Sequence, residues 1–245
     1  MIDNNRIERI LFWFKDGDVS LNELTPKYFG LATLLKNLIN LRYTGKKIKF
    51  VNLKFSSQRT FELYPGVTEN HVHYYSRQGG HLAFYGVLNF HDFNALNEDE
   101  KTHFLWEEAH RVLSICAKST KNDSLLEAND FAYRRGIETN FNTDYQLMER
   151  EIVLYGCTLK ASIWIQFKND GMEAYFTLED HGKLRFKKFI DDAALGAEFF
   201  LEMFKAIIVE GDTIVIKGSW DADVLPMYIS IDRDLILQPQ TNMTL

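Results

Sequence analysis

Four histidines, His71, His73, His81 and His91, fall within 21 residues, and neutral imidazole is a common ligand of transition metals. His71 and His73 are two apart, so on a strand they share a face. Gly79-Gly80 marks a hairpin before His81, because glycine accepts the positive φ of a tight turn. With a two-residue loop, His91 would point to the opposite face. His81 would then lie about 15 Å or more from His73 along the ladder, at roughly 3.3 Å per residue. A different loop length reverses that parity. The expectation is surface or hydrogen-bonded strand histidines, with no metal site. A second set, His103, Glu107 and His110, is spaced by four and three residues and shares one helix face. Glu107-x2-His110 has the spacing of half a carboxylate-bridged di-metal site, but the sequence holds no second half. The zinc-protease pattern HExxH is missing as well. A solvated face opposite Phe104, Leu105, Val112 and Ile115 accounts for these residues.

Other catalytic signatures do not occur. The sequence has no G-x-S-x-G, no G-x-x-x-x-G-K-[ST] and no G-x-G-x-x-G, so the marked nucleophile and phosphate-cradling loops are missing. Cys116 and Cys157 are two isolated thiols without an electropositive neighbourhood, which reads as reduced and partly buried cysteines. No catalytic residue and no cofactor is expected, and the enzyme alternative is a metal-dependent hydrolase using the histidine cluster.

Charge is more informative. The net charge is -6. Residues 1–122 hold 16 Lys+Arg against 13 Asp+Glu, whereas residues 123–245 hold 12 against 21. Between residues 24 and 61 there are eight bases and no acid, including Arg42, Lys46, Lys47, Lys49 and Lys54. Residues 42–54 interleave lysines with Phe50, a pattern that can contact phosphates. An edge strand with a lysine-bearing outer face explains it equally simply, and the acidity of the whole chain disfavours nucleic acid as a partner. From residue 189 onward there are ten acids and three bases. Asp191 and Asp192 suit a helix N-terminus. Asp221, Asp223, Asp232 and Asp234, with Trp220 and Tyr228 nearby, read as a negative surface that attracts a basic protein.

These residues need elements to position them. Residues 7–14 form a strand closed by the turn at 15–18, followed by a helix with Thr25 as N-cap, Pro26 at its first helical position and Gly45 as terminator. Strands are expected at 48–55, 61–64, 71–76 and 82–90. Asn97 and Glu100 form a capping box that opens a helix to about residue 118, and a shorter helix over 124–135 is stopped by Gly136. The C-terminal half repeats this order, with strands at 158–167, 172–178 and 184–189 and a helix over 192–209 ended by Gly211. Closing strands use Ile214, Ile216, Tyr228, Ile229, Ile231 and residues 235–237.

The fold class is therefore α+β: mostly antiparallel sheets with long helices packed on one face, in one continuous domain or two similar lobes over 1–138 and 139–245. The first residues lack a basic stretch followed by an apolar one, and no apolar run approaches the roughly 20 residues of a membrane span. A soluble cytoplasmic protein with no membrane partner is expected. Its function reads as that of a non-catalytic binding protein for a basic protein. Compact, acidic, motif-poor α+β chains have the general character of bacterial immunity proteins, which mask basic toxins.

Overall fold

The computed structural model describes residues 6–45, 48–76 and 80–237. Lys46, Lys47 and Gly79 of the basic segment and the hairpin lie outside them. The chain is α+β and divides into two compact units, Met1–Thr143 and Asp144–Leu245.

Unit 1 is built on a mixed sheet. β1 (Arg9–Asp16) buries Ile10, Phe12 and Phe14 on one face and leaves Trp13 exposed on the other, the period-two pattern of a strand. Gly17 turns the chain at φ 62° into the two-residue β2 (Val19–Ser20), antiparallel to β1. The helix expected from Thr25 is two helices, α1 (Leu24–Lys27) and α2 (Phe29–Asn40), and the N-cap position before α1 is Glu23. They separate at Tyr28, whose ring packs 5.9 Å from Phe14 and 6.3 Å from Phe93. Because the helical turn already begins at Leu24, Thr25 lies inside α1 rather than at its N-cap. α2 ends before Gly45, at Asn40, whose amide accepts from Ile7 N at 2.9 Å and donates to Ile7 O at 2.8 Å.

β3 (Phe50–Ser56) lies parallel to β1. Residues 61–64, expected as strand, instead close α3 (Gln58–Leu63). Thr60 and Phe61 turn inward together, and Thr60 Oγ1 donates to Lys15 O at 3.2 Å. β4 (His71–Tyr75) and β5 (His81–Val87) form the expected hairpin, with Tyr75 opposite His81, and β5 runs parallel to β3. The sheet order is β2-β1-β3-β5-β4.

After α4 (Phe90–Ala95), the capping box appears as read: Asn97 Oδ1 accepts from Glu100 N at 3.0 Å, and Glu100 Oε2 accepts from Asn97 N at 2.8 Å. It opens α5 (Glu98–Ser119). α6 (Asp123–Glu138) runs through Gly136 rather than stopping there. A Cβ at Gly136 would overlap the Trp106 ring, so this glycine serves close packing. Leu31 and Leu35 of α2, Leu105, Ala109, Val112 and Leu113 of α5, and Leu125 and Ala132 of α6 share one core with Phe12, Leu53 and Phe84. All the long helices thus cover one face of the sheet.

Unit 2 is an antiparallel meander with a second sheet. β6 (Tyr145–Leu154), β7 (Cys157–Phe167), β8 (Met172–Asp180) and β9 (Lys183–Ala193) follow one another in order. The helix expected over 192–209 does not form. β9 carries Asp191 and Asp192, α7 (Glu198–Glu202) is five residues long, and β10 (Phe204–Glu210) pairs antiparallel with β11 (Thr213–Gly218) about Gly211. Ile207 buries against the partner strand opposite Ile216, and the run Ile207-Ile208-Val209 is β-branched, which suits a pleated surface better than a helix. β12 (Met227–Ser230) completes the order β10-β11-β12. Residues 235–237 belong to α8 (Arg233–Leu237), not to a strand. β6, which the sequence pattern did not reveal, is linked to β10 by Arg150 Nη1 donating to Ile207 O at 3.0 Å. Unit 2 therefore lacks a long helix among its described residues and differs from unit 1 in architecture.

Candidate functional site

The acidic and aromatic residues of unit 2 are positioned by β11, β12 and the loop between them. That loop is pinned by three backbone bonds: Ser219 N to Met203 O at 2.8 Å, Ala222 N to Ser219 O and Leu225 N to Ala222 O, both at 3.1 Å. Ala222 and Leu225 turn inward and are buried, and Leu225 occupies the space where a Cβ on Gly218 would lie. Trp220, Asp221 and Asp223 consequently turn outward, and Trp220 is 97% exposed. On β12, Ile229 buries against the core opposite Ile214, while Tyr228 points out and is 61% exposed.

Past β12 the chain is anchored by Ile231, which is buried and whose carbonyl accepts from Tyr155 OH at 2.8 Å. Asp232 Oδ1 then accepts from Asp234 N at 2.9 Å, leading into α8, and the Arg233 guanidinium lies 5.9 Å from the Tyr155 ring centre. Asp221 and Asp223 precede β12, and Asp232 and Asp234 follow it. The four residues of β12 separate the pairs by about 13 Å of strand. Tyr228 lies on the strand between the two pairs, and among the described residues the four aspartates form no group placed to hold a cation. Tyr155 is the residue of this edge that sequence reasoning missed; its contact with Ile231 spans 76 positions and leaves no local signal.

The histidines go elsewhere. His71, His73 and His81 share the face of the unit 1 sheet turned away from the helices, because the hairpin loop is five residues long and His81 pairs with Tyr75. That register puts His81 about 7 Å along the ladder from His73 rather than 15 Å. The His71 and His73 rings lie 4.6 Å apart. Burial, then the charges of His71 and Lys54, hold the His73 imidazole below its ordinary 6.5. His91 leaves the ladder altogether, on α4. On α5, His103 Nδ1 lies 3.0 Å from Asp99 O, and His110 Nε2 lies 2.8 Å from Asp130 Oδ1 on α6. Each ring is thus engaged by its own partner. Among the described residues, no group of three or more His, Cys, Asp or Glu side chains is placed to hold a metal ion.

The described bases of the segment at 42–54 are dispersed as well. Arg42 lies over the Phe131 ring at 5.1 Å, Lys49 pairs with Glu8 at 2.8 Å, and Lys54 joins the sheet face that carries His73. Both cysteines are free; burial pushes the Cys116 thiol up to about 12. No described helix is long and apolar enough to cross a membrane. Comparison with protein-family models, curated proteins and solved structures finds no match to the chain.

Proposed function

We propose that this is a non-catalytic binding protein that docks a basic protein partner through the outer edge of unit 2, with Trp220 and Tyr228 as anchors and Asp221, Asp223, Asp232 and Asp234 as the charged rim. The observation that carries this reading is Trp220, held almost wholly in solvent by a loop whose Ala222 and Leu225 are pinned inward. An aromatic side chain buries roughly 150–250 Å² on association, worth about 4–6 kcal/mol before the costs of binding. Tryptophan is correspondingly enriched where a few residues carry an interface. Unit 2 holds 10 Lys+Arg against 17 Asp+Glu, a field that steers a basic partner toward the edge. Masking of a basic bacterial toxin by a cytoplasmic immunity protein is the biological form that suits this chemistry.

The test is to capture the partner on the tagged chain from its source lysate, identify and purify it, and measure association directly. Trp220→Ala should weaken binding by about 30-fold or more, the effect of losing about 2 kcal/mol at an anchor. Reversing the four aspartates to lysine should slow association and flatten its salt dependence. A partner that binds both variants as tightly and as fast as the natural chain would exclude this edge as the docking site.

A further inference from the structure

The helices of unit 1 cover one face of its sheet, and the other face has an unusual composition. In the observed register, Trp13 of β1, Lys54 of β3, Tyr85 of β5 and His71 of β4 form one row across four strands. Leu11, Asn52, Ala83 and His73 form the next row, and Arg9, Phe50, His81 and Tyr75 the third. Seven of these twelve positions carry rings, two carry fixed cations, Arg9 and Lys54, and none carries a carboxylate. Lys15 and Ser56 extend the face at the end nearest α3. Trp13 is 41% and Tyr75 52% exposed, so the rings meet solvent.

The rings are held by one another. Phe50 stacks on His81 at 4.6 Å, with Arg9 5.4 Å from the Phe50 centre. His73 meets Tyr85 edge-on at 5.2 Å and stacks on Tyr75 at 6.0 Å. Trp13 Nε1 donates to Asn52 Oδ1 at 2.9 Å, fixing the indole, and Lys54 Nζ donates to Tyr85 OH at 3.1 Å. Beside α3 the face deepens into an open cleft of about 590 Å³ whose lining includes Trp13, Lys15, Lys54, Thr60, Tyr64 and Tyr85 and, among the described residues, no acid. There Lys15 Nζ sits 3.9 Å from the Tyr64 ring centre.

We propose that this face binds single-stranded nucleic acid, with bases stacked on Trp13, Tyr85 and the adjoining His73, and phosphates taken by Lys15, Lys54 and Arg9. Every base offers a π-face to such rings, and a groove lined with cations and free of anions tracks the phosphate backbone. The first row spans three inter-strand gaps, about 14 Å, and an open sheet face of this width stacks two or three bases. A duplex does not fit, because its bases are already stacked and a broad sheet face does not enter its grooves. The residues of this face all belong to unit 1 and those of the acidic edge to unit 2, so either reading can fail without the other.

The experiment is fluorescence anisotropy of a labelled single-stranded oligonucleotide titrated with the full chain at low salt, repeated at rising salt. The expected result is saturable binding that weakens with salt. Trp13→Ala with Tyr85→Ala should weaken it at least tenfold, Trp13→Phe should retain it, and Lys15→Gln with Lys54→Gln should weaken it and reduce the salt slope. Lys205→Gln, an exposed lysine of unit 2, should leave it unchanged, and melting curves of each variant separate lost binding from lost folding. Three results would overturn the proposal: no binding at low salt, a duplex of equal length binding as tightly, or polyglutamate binding as tightly as the oligonucleotide. A folded Trp13→Ala, Tyr85→Ala variant that binds like the natural chain would overturn it equally.

Discussion

Gly136 and Gly218 are held by their neighbours, since a Cβ at the first would overlap Trp106 and one at the second would overlap Leu225. Gly136→Ala and Gly218→Ala should each destabilise the fold by about 1–3 kcal/mol, the usual cost of overpacking, read as a lower urea midpoint. The thiols should differ in the same direct way. Cys116 is buried with its proton held up to about 12, whereas Cys157 is half-buried. A thiol reagent at mildly alkaline pH should modify Cys157 first and reach Cys116 only on unfolding; simultaneous modification of both in the native state would contradict the burial. His73 supplies a pH signature. Its folded pKa lies below the ordinary 6.5, so the unfolded chain takes the proton first. Its contribution to stability is full above pH 6.5 and declines as the pH falls below that value. Melting curves on either side of pH 6.5 should show a smaller loss on acidification in His73→Gln than in the natural chain.

At the scale of elements, legibility followed how local the deciding interaction was. α5 could be read directly because Asn97 and Glu100 bond to each other's backbone three residues apart, and the β4–β5 hairpin because its turn glycine and both strands are contiguous. The apolar spacing of residues 192–209 fits a helix as well as a strand, and pairing of β10 with β11 selects the strand. The end of α2 was set from 33 residues away, by the two bonds of Asn40 to Ile7. Asn40→Ala should therefore leave both Ile7 backbone groups without that partner and cost about 1–3 kcal/mol. A hydrogen-exchange measurement should show faster opening at the start of β1 in that variant.

At the scale of the whole molecule, the two units differ in architecture and in charge. Unit 1 carries 18 Lys+Arg against 17 Asp+Glu and unit 2 carries 10 against 17. The chain-wide value of -6 therefore averages a near-neutral unit and a strongly acidic one. The C-terminal limit of unit 1 has a specific physical anchor in Phe141, whose ring lies 5.6 Å from Trp106 and 4.5 Å from His103. A fragment of residues 1–143 should melt cooperatively, and one of residues 1–138, which lacks Phe141, should be less stable by about 1–2 kcal/mol, the scale of half-burying an aromatic ring. Equal melting temperatures for the two fragments would contradict an anchoring role for that ring.

The sequence by itself determined the α+β class, the α5 cap, the hairpin and the uneven distribution of charge, because each depends on residues close in the chain or on composition alone. Tertiary structure decided which residues share a surface. Trp13, Lys54, Tyr85 and His71 come from four strands spread over more than seventy positions, and parallel pairing of β1, β3 and β5 aligns them in one row. Strand parity in residues 9–16 could have shown that Trp13 faces away from Phe12 and Phe14. The long-range register that sets it beside Lys54 rests on backbone bonds and on helices covering the opposite face, and neither is encoded in local spacing.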